Sequence, residues 1–457
     1  IFLLFASLLL PTGLISTAVP KAQAQNVKII PNTSGGTFTN NTQGVNATAI
    51  GAGASADGIN SIAVGTSALS QLGTNGAIAI GANAAINATV ATPGAIAIGE
   101  SATVNNGANA TAVGSSSTAS ANSATAVGTN SNASGTSSAA FGDRAAAQGT
   151  NSVAVGANAT TGVGANNAIS IGTGSNTAGA LANNATAIGN GANVGTGATG
   201  STAIGQGATV SSNVTDAIAT GTSANAESSN SIAVGNTARV NTGATGSTAI
   251  GQGATVATNA QNAIATGTNA NAGSNFATAI GNAAQATGLS ASAYGDSATA
   301  SGINSTAGGK GAAASGDNSV ATGTSANAGS SNSIAVGNNA TVNTGAEGST
   351  AIGQGATVSS NVTNAIATGT NAKAGSDFAT AIGFEAEATG ERSIATGPQA
   401  QAIGEGSIAT GFQAQATGEG STAIGNGANV GTGATGSTAI GQNAPVAIDA
   451  ENATATG

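Results

Sequence analysis

The sequence lacks most of the side chains that carry chemistry in proteins. It contains no Cys, His, Met or Trp, and Tyr294 is its one tyrosine. Histidine and cysteine are the usual general bases, thiol nucleophiles and transition-metal ligands. A serine or threonine nucleophile would need some other activating base. We therefore expect no enzymatic activity, no cofactor and no metal site.

Charge and bulk are equally scarce. Asp, Glu, Lys and Arg make up 5 % of the residues, against roughly 25 % in an average globular domain. Seven Lys and Arg residues are too few to form a phosphate-binding stripe, so nucleic acid is not an expected partner. The chain has only eight Phe residues, which argues against the core of an ordinary globular domain.

The first residues differ from the rest of the chain. Residues 1–10 form an apolar run, and the small-x-small pattern Ala22-Gln23-Ala24 follows it. This arrangement is typical of a secretory signal peptide. A membrane anchor is the alternative, although the run is shorter than the ~20 residues that span a bilayer. We expect residues 1–24 to be a signal peptide without its beginning, and residues 25–46 to cap the domain that follows.

A five-residue unit repeats from Ala47 onward. Clear copies are SIAVG at 61–65, SVAVG at 152–156 and SIAVG at 231–235. Aligning on this unit gives 28 coils, whose spacing is 14 residues in 14 cases and 16 residues in 10. Positions in a coil are numbered here from the first residue of the unit. Position 5 is Gly in every copy, and position 3 is Ala in all but one. Random low-complexity sequence does not keep such a register.

Each coil is predicted to contain two short strands and two turns. The repeated unit alternates like a strand, and a weaker strand follows, as at 130–134. Glycines at fixed places suit the turns. Stacked coils would pair in parallel with a rise of about 4.8 Å, giving a rod on the order of 130 Å long. The two extra residues of the longer coils belong in the second turn, as at 241–246. The expected fold is an all-β parallel solenoid over residues 47–457.

The repeated strand has a different kind of residue on each face. Positions 2 and 4, often Ile or Val, share one face, and the Ala at position 3 takes the other. Burying one or two such aliphatic side chains per coil contributes only a few kcal/mol. We therefore expect one face to lie inside the roll and the other to pack against a neighbouring chain. The pattern does not say which face is which.

The repeated unit, the downstream Ala-x-Gly and the 14-residue period resemble the head repeats of YadA-like trimeric autotransporter adhesins, over nearly all of residues 47–457. The resemblance implies a left-handed parallel β-roll, a homotrimer and a place on the Gram-negative outer membrane. It also implies binding to host extracellular-matrix proteins, host cells or like heads. The sequence stops at Gly457, the fifth residue of a coil. We expect the stalk and the membrane anchor to lie outside it.

The same resemblance suggests a first set of ligand contacts. In that family the Asn-Ser-Val-Ala-Ile-Gly type of segment is associated with collagen binding. The alternative is that these residues only build the strand of each coil. The candidate contacts in the matching segments are Asn60, Ser61, Ile62, Asn151, Ser152, Val153, Asn230, Ser231, Asn332 and Ser333.

Coils 379–420 supply a second set of candidates. Glu391, Glu405 and Glu419 occupy position 13 of consecutive coils, so stacking places their carboxylates about 5 Å apart, where they repel unless a cation bridges them. Phe384 and Phe412 occupy position 6. The favoured interpretation of this region is a solvated edge that keeps the rod soluble. The alternative is a contact patch or a weak cation site. Beside these residues run two further ladders, Glu385 with Gln399 and Gln413, and Glu387 with Gln401 and Gln415.

Three functions remain open at this point. The leading one is attachment of a bacterial surface to host matrix or cells. The second is a structural rod whose self-association causes autoagglutination or biofilm. The third is ice or surface binding through flat threonine ladders. The threonine ladders are interrupted, since Thr202 is followed by Ile218 in the next coil, so ice binding is the least favoured.

Overall fold

The computed structural model describes residues 41–42, 44–89, 91–177 and 181–457. The predicted signal peptide and most of the predicted cap lie outside the described residues. Within them the chain forms short β-strands and turns and no helix, and hence no helix suited to crossing a membrane. Asn41–Thr42, in the predicted cap, is a strand that pairs with Ser55–Ala56.

The first strand of each coil covers positions 2–4, where a β-branched residue, Ala and a second, often β-branched residue favour an extended backbone. These strands form one sheet, called sheet 1. Its described strands are Thr48–Ile50, Ile62–Val64, Ile78–Ile80, Ile96–Ile98, Thr111–Val113, Thr125–Val127, Ala139–Phe141, Val153–Val155, Ile169–Ile171, Thr186–Ile188, Thr202–Ile204, Ile218–Thr220, Ile232–Val234, Thr248–Ile250, Ile264–Thr266, Thr278–Ile280, Ser292–Tyr294, Thr306–Gly308, Val320–Thr322, Ile334–Val336, Thr350–Ile352, Ile366–Thr368, Thr380–Ile382, Ile394–Thr396, Ile408–Thr410, Thr422–Ile424, Thr438–Ile440 and Thr454–Thr456.

The second strand begins at position 9 and is usually two residues long. These strands form sheet 2. Its described strands are Asn41–Thr42, Ser55–Ala56, Leu69–Ser70, Ala85–Asn87, Thr103–Asn105, Thr118–Ala119, Asn132–Ala133, Ala146–Ala147, Thr160–Thr161, Asn176–Thr177, Asn193–Val194, Thr209–Val210, Asn225–Ala226, Arg239–Val240, Thr255–Val256, Asn271–Ala272, Gln285–Ala286, Thr299–Ala300, Ala313–Ala314, Asn327–Ala328, Thr341–Val342, Thr357–Val358, Lys373–Ala374, Glu387–Ala388, Gln401–Ala402, Gln415–Ala416, Asn429–Val430 and Pro445–Val446.

Every pairing in both sheets is parallel and joins equivalent positions of adjacent coils. Across a 14-residue coil, Thr111 pairs with Thr125 and Val113 with Val127. Across a 16-residue coil, Ile232 pairs with Thr248 in the same register. The extra residues therefore leave the sheets undisturbed and lie in the second turn, as at 241–247. The predicted parallel β-solenoid is confirmed.

The interior of the roll is built from small side chains. Positions 1, 3, 8 and 10 point inward, and Ala124, Ala126 and Ala133 are fully buried. Positions 2 and 4 point outward and stay partly exposed. The structure thus answers the question that the sequence left open. Alanine lies inside because the two sheets are separated by a narrow space, and the larger aliphatic side chains lie outside.

The first turn explains the invariant glycine at position 5. Gly128 has φ of 130°, a conformation that L side chains rarely adopt. A Cβ on Gly128 would also lie 2.4 Å from the carbonyl oxygen of Gly142 in the next coil. Both the backbone conformation and the close approach therefore exclude any other residue.

Candidate binding surfaces

The outward face of sheet 1 is a long apolar surface. In each coil it carries the side chains of positions 2 and 4. Ile218, Ile264 and Ile366 are about two-fifths exposed in the single chain. Because register is kept from coil to coil, these side chains form continuous ladders from Thr48 to Thr456. An exposed apolar surface of this extent marks an interaction site.

The outward face of sheet 2 is different, because position 9 is mostly polar. It carries Asn, Thr, Ser, Gln and charged side chains such as Arg239 and Lys373. Arg239 pairs with Glu227, and Lys373 Nζ lies 2.9 Å from Glu387 Oε1. The roll therefore has one apolar and one polar outer face, and the apolar one is suited to packing against another chain.

The structure separates the first set of candidate contacts into buried and exposed residues. Ser61, Ser152, Ser231 and Ser333 are fully buried at position 1. The hydroxyls of Ser61 and Ser152 each donate to a backbone carbonyl, of Gly58 and Gly149, at 2.7 Å. Ser231 and Ser333 donate in the same way to Ser228 and Ser330. The exposed members are the position 14 asparagines, Asn60, Asn151, Asn230 and Asn332.

The exposed members of this set lie at one corner of the roll. The four asparagines have φ of 55–56°, the left-handed conformation that asparagine tolerates well. Asn151 Nδ2 donates to Asn167 Oδ1 of the next coil at 3.3 Å. Ile62 and Val153, at position 2, project outward from sheet 1 beside these asparagines and are partly exposed.

Glu391, Glu405 and Glu419 form a row that we call the acidic ladder, and the cationic side chain of Arg392 lies beside it. Arg392 Nη1 lies 3.1 Å from Glu391 Oε1 and 3.8 Å from Glu405 Oε1. The guanidinium also lies over the ring of Phe378, 5.9 Å from its centroid. Glu419 follows one coil further along. The described residues contain no group of three or more acidic, His or Cys side chains placed to hold a metal ion.

Arg392 and Phe378 were missed by the sequence reasoning. Both occupy position 14, and Phe378 has φ of 57°. A bulky aromatic residue in the left-handed region is unusual, and Phe276 repeats it at the equivalent place in another coil, with φ of 58°. The signal that could have identified them is a bulky residue at a position where asparagine is common.

Phe384 and Phe412 lie at the first turn, on the opposite corner from the acidic ladder. Their side chains are 48 % and 46 % exposed, and Pro398 occupies the same position in the coil between them. Next to them lies a groove of about 630 Å³, lined chiefly by Glu385, Gln399, Gln401, Gln413 and Gln415. The structure thus separates the two parts of the second candidate set.

The comparisons with known proteins agree with this geometry. The model of the YadA head domain repeat (2 copies) matches the chain in eleven segments that together cover more than half of it. The matched segments are 43–68, 106–131, 133–159, 215–238, 259–284, 314–340, 345–372, 363–386, 388–414, 402–428 and 416–444. The chain belongs to the YadA head repeat family. A search of curated proteins found no match.

Membership of the YadA head family gives the chain a general function. These heads are surface adhesin modules without enzymatic activity. The family also supplies a reason for the apolar face of sheet 1, since YadA-like heads form trimers. The other surfaces of this YadA head are the polar face of sheet 2 and the two rows of turns.

Proposed function

We propose that this chain is the head of a bacterial surface adhesin that attaches the cell to host extracellular matrix or to host cells. Three copies would pack side by side through the outward face of sheet 1. The head would be displayed on the Gram-negative outer membrane by a stalk and an anchor outside this sequence.

The observation that carries the proposal is the outward face of sheet 1, which carries at least one apolar side chain at positions 2 and 4 in nearly every coil. An aliphatic side chain left two-fifths exposed in coil after coil gains stability by burial against a neighbour, at about 25 cal/mol for each Å² of apolar surface removed from water. A single chain leaves that gain unrealised. A rod of three chains would realise it and would still present its turns and sheet 2 to a ligand.

Attachment can be tested with beads that carry the purified chain. We expect coated beads to adhere to host epithelial cells or to surfaces coated with matrix proteins, and beads coated with an unrelated β-solenoid to stay free. Clumping of the coated beads without attachment to any host surface would contradict the proposal. That result would favour the alternative of a self-associating rod.

A further inference from the structure

The groove beside Phe384 and Phe412 has the size of a small-ligand site. Its volume of about 630 Å³ falls within the range of about 300–1,000 Å³ that is usual for ligand pockets. Its lining comes from positions 7 and 9 of four consecutive coils and consists of the Glu385 carboxylate, the side-chain amides of Gln399, Gln401, Gln413, Gln415 and Asn429, and Gly427. Positions 7 and 9 belong to the first turn and to sheet 2, so the groove stays open when the outward face of sheet 1 is covered.

The amides of the groove are ordered by hydrogen bonds along the rod. Gln413 Nε2 donates to Gln399 Oε1 at 3.0 Å, and Gln399 Nε2 donates to Glu385 Oε2 at 2.9 Å. In the parallel ladder, Gln415 Nε2 donates to Gln401 Oε1 at 3.2 Å. A primary amide has two donor hydrogens and two acceptor lone pairs. The ladder uses part of this capacity and leaves donors and acceptors side by side for a ligand.

The backbone at position 7 makes these long side chains unusual. Glu385, Gln399 and Gln413 have φ of 53°, 58° and 54°, in the left-handed region that favours Gly and Asn. Other coils mostly place Gly, Asn or Ser there. Three long side chains in consecutive coils at a disfavoured conformation, none of them fully buried, point to a function at the surface.

An apolar row lies at position 6, directly before the position 7 residues of the groove in the chain and outside the lining of the groove itself. Phe384, Pro398 and Phe412 occupy position 6 of three consecutive coils, and all three are exposed. Two aromatic rings are thus separated by two coils, or about 9.6 Å. Aromatic faces carry negative charge and attract the positively polarised C–H groups of a ligand.

Amides beside aromatic rings suit a ligand with hydroxyl groups on its edges and C–H groups on its faces. An anionic ligand is disfavoured by Glu385 and Glu387, of which only Glu387 is paired with a lysine. A fully extended peptide presents groups on one side every ~6.6 Å, which does not match a ladder that repeats every ~4.8 Å. One pyranose ring, in contrast, is about as long as one coil is high.

We propose that this groove binds a neutral β-1,4-linked glycan, one sugar residue for each coil. Such a chain is straight, and every second sugar ring has the same orientation. The two phenylalanines likewise lie two coils apart. The amides of Gln399, Gln413, Gln401 and Gln415 would bind the hydroxyl groups, and Phe384 and Phe412 would stack on alternate rings. The inference rests on the proposed adhesin function and names a ligand class for it.

The test uses the purified chain, kept folded by a trimerising coiled coil fused after Gly457, with cellohexaose and chitohexaose, and with maltohexaose, whose α-1,4 linkage makes it curved. We expect calorimetry to detect both β-linked hexasaccharides and saturation-transfer NMR to show contact with aromatic protons. Phe384→Ala with Phe412→Ala should weaken binding about tenfold or more. Gln399→Ala with Gln413→Ala should also weaken it, since each loses a hydrogen bond to the ligand.

The controls change the same residue types elsewhere. Phe276→Ala removes a phenylalanine that is 58 % exposed at the other corner of the roll. Gln252→Ala with Gln354→Ala removes two exposed glutamines of other coils. Both control variants should keep full affinity, and circular dichroism should show every variant folded.

Three results would overturn the inference. They are no binding of either β-linked hexasaccharide at millimolar concentration, equal binding of maltohexaose, and displacement of the sugars by a Pro- and Gly-rich triple-helical peptide that binds the groove more tightly. Bead adhesion is measured separately. If the β-linked sugars do not bind but the coated beads still adhere, the groove inference alone is overturned. If the beads do not adhere, the proposed function is overturned.

Discussion

The five 14-residue coils over 263–332 and the two 16-residue coils over 333–364 differ in the second turn, which leads the chain from sheet 2 back to sheet 1. In the shorter coils the chain closes through a tight second turn. A Cβ on Gly302, at position 12, would lie 2.0 Å from the carbonyl oxygen of Gly316. In the first longer coil the turn is wider, and Ala346, at position 14, places a fully buried side chain inside.

The interior changes together with the turn. Position 10 is Ala in each of the 14 coils of 14 residues, and is a larger residue in every longer coil. The longer coils place Val342 and Val358 there, fully buried. A wider turn opens the roll, and a larger side chain fills the space to native density. The length of a coil and the size of its interior residue therefore vary as one unit.

Coil length does not change sheet 1. Thr350 pairs with Ile366, and Ile366 with Thr380, in one register across the boundary between the two coil types. The difference is confined to the second turn and the interior. The outward face that we assign to chain–chain packing consequently keeps its register through both regions.

The largest expected effect comes from replacing a glycine of the tight second turn. Gly404→Ala should destabilise the rod by about 2–4 kcal/mol, because the new Cβ would lie 2.1 Å from the carbonyl oxygen of Gly418. Gly308→Ala is the matched control, since its Cβ would lie 3.8 Å from its nearest neighbour. Thermal unfolding by circular dichroism measures both. Equal melting temperatures would show that the tight turn is not constrained in the way described.

Exchanging the interior residues of the two coil types should cost nearly as much. Val358→Ala leaves a cavity in a longer coil and should lose about 2 kcal/mol. Ala388→Val overfills a shorter coil and should lose about 1–3 kcal/mol. Denaturant unfolding gives both free energies. If Ala388→Val is tolerated, the shorter coils have spare room and the link between coil length and interior size does not hold.

The join between the coil types depends on a serine. Ser330, in the last shorter coil, donates to the carbonyl of Asn343 at 2.7 Å and accepts from the amide of Ala346 at 2.8 Å. Ser330→Ala leaves both groups of the wide turn without this partner and should cost about 1–2 kcal/mol.

A second serine provides the control for that join. Ser393 is fully buried and its hydroxyl has no hydrogen-bond partner, so Ser393→Ala should be neutral or slightly stabilising. The melting temperatures of Ser330→Ala and Ser393→Ala, compared with that of the unchanged chain, test the role assigned to Ser330. A larger loss in Ser393→Ala than in Ser330→Ala would contradict the assigned role of Ser330.

The smallest effect is expected in the first turn, which both coil types share. Hydrogen bonds from Asn282 and Ser297 hold the pKa of Asp296 below its ordinary value of 3.8. A carboxyl with a lowered folded pKa stabilises the fold above its unfolded pKa, and this is lost as pH falls through the folded pKa. Asn282→Ala should therefore lower the melting temperature slightly near neutral pH and not in strong acid. A difference that persists in strong acid would assign the effect to something other than this carboxylate.

Sequence reasoning reached the fold because one register governs the whole chain. The invariant Gly at position 5 and the Ala at position 3 gave the strand, the turn and the parallel pairing, and the insertion at 241–246 was placed in the correct turn. It could not say that Ala faces inward, because a thin roll reverses the usual rule that large apolar residues lie inside. That depended on the distance between the two sheets.

The candidate surfaces were less accessible to sequence reasoning. Stacking put Glu391 and Glu405 in one ladder, yet Arg392 was overlooked, although it directly follows Glu391 in the chain. Its other partners, Glu405 and Phe378, lie in the adjacent coils. The amide ladders of Gln399 and Gln401 were recognised as ladders. The groove that these ladders line was not predicted, because spacing along the chain does not reveal how the side chains of positions 7 and 9 lie relative to one another.

The central claim is that the outward face of sheet 1 packs against other copies of the chain. The most direct test is the solution mass by light scattering, with a trimerising coiled coil fused after Gly457 and with the unfused chain beside it. The account predicts that the fusion of residues 25–457 is a β-rich, heat-resistant trimer with three times the mass of one fused chain, and that the unfused chain is much less stable. A stable, folded monomer of the unfused chain would contradict it.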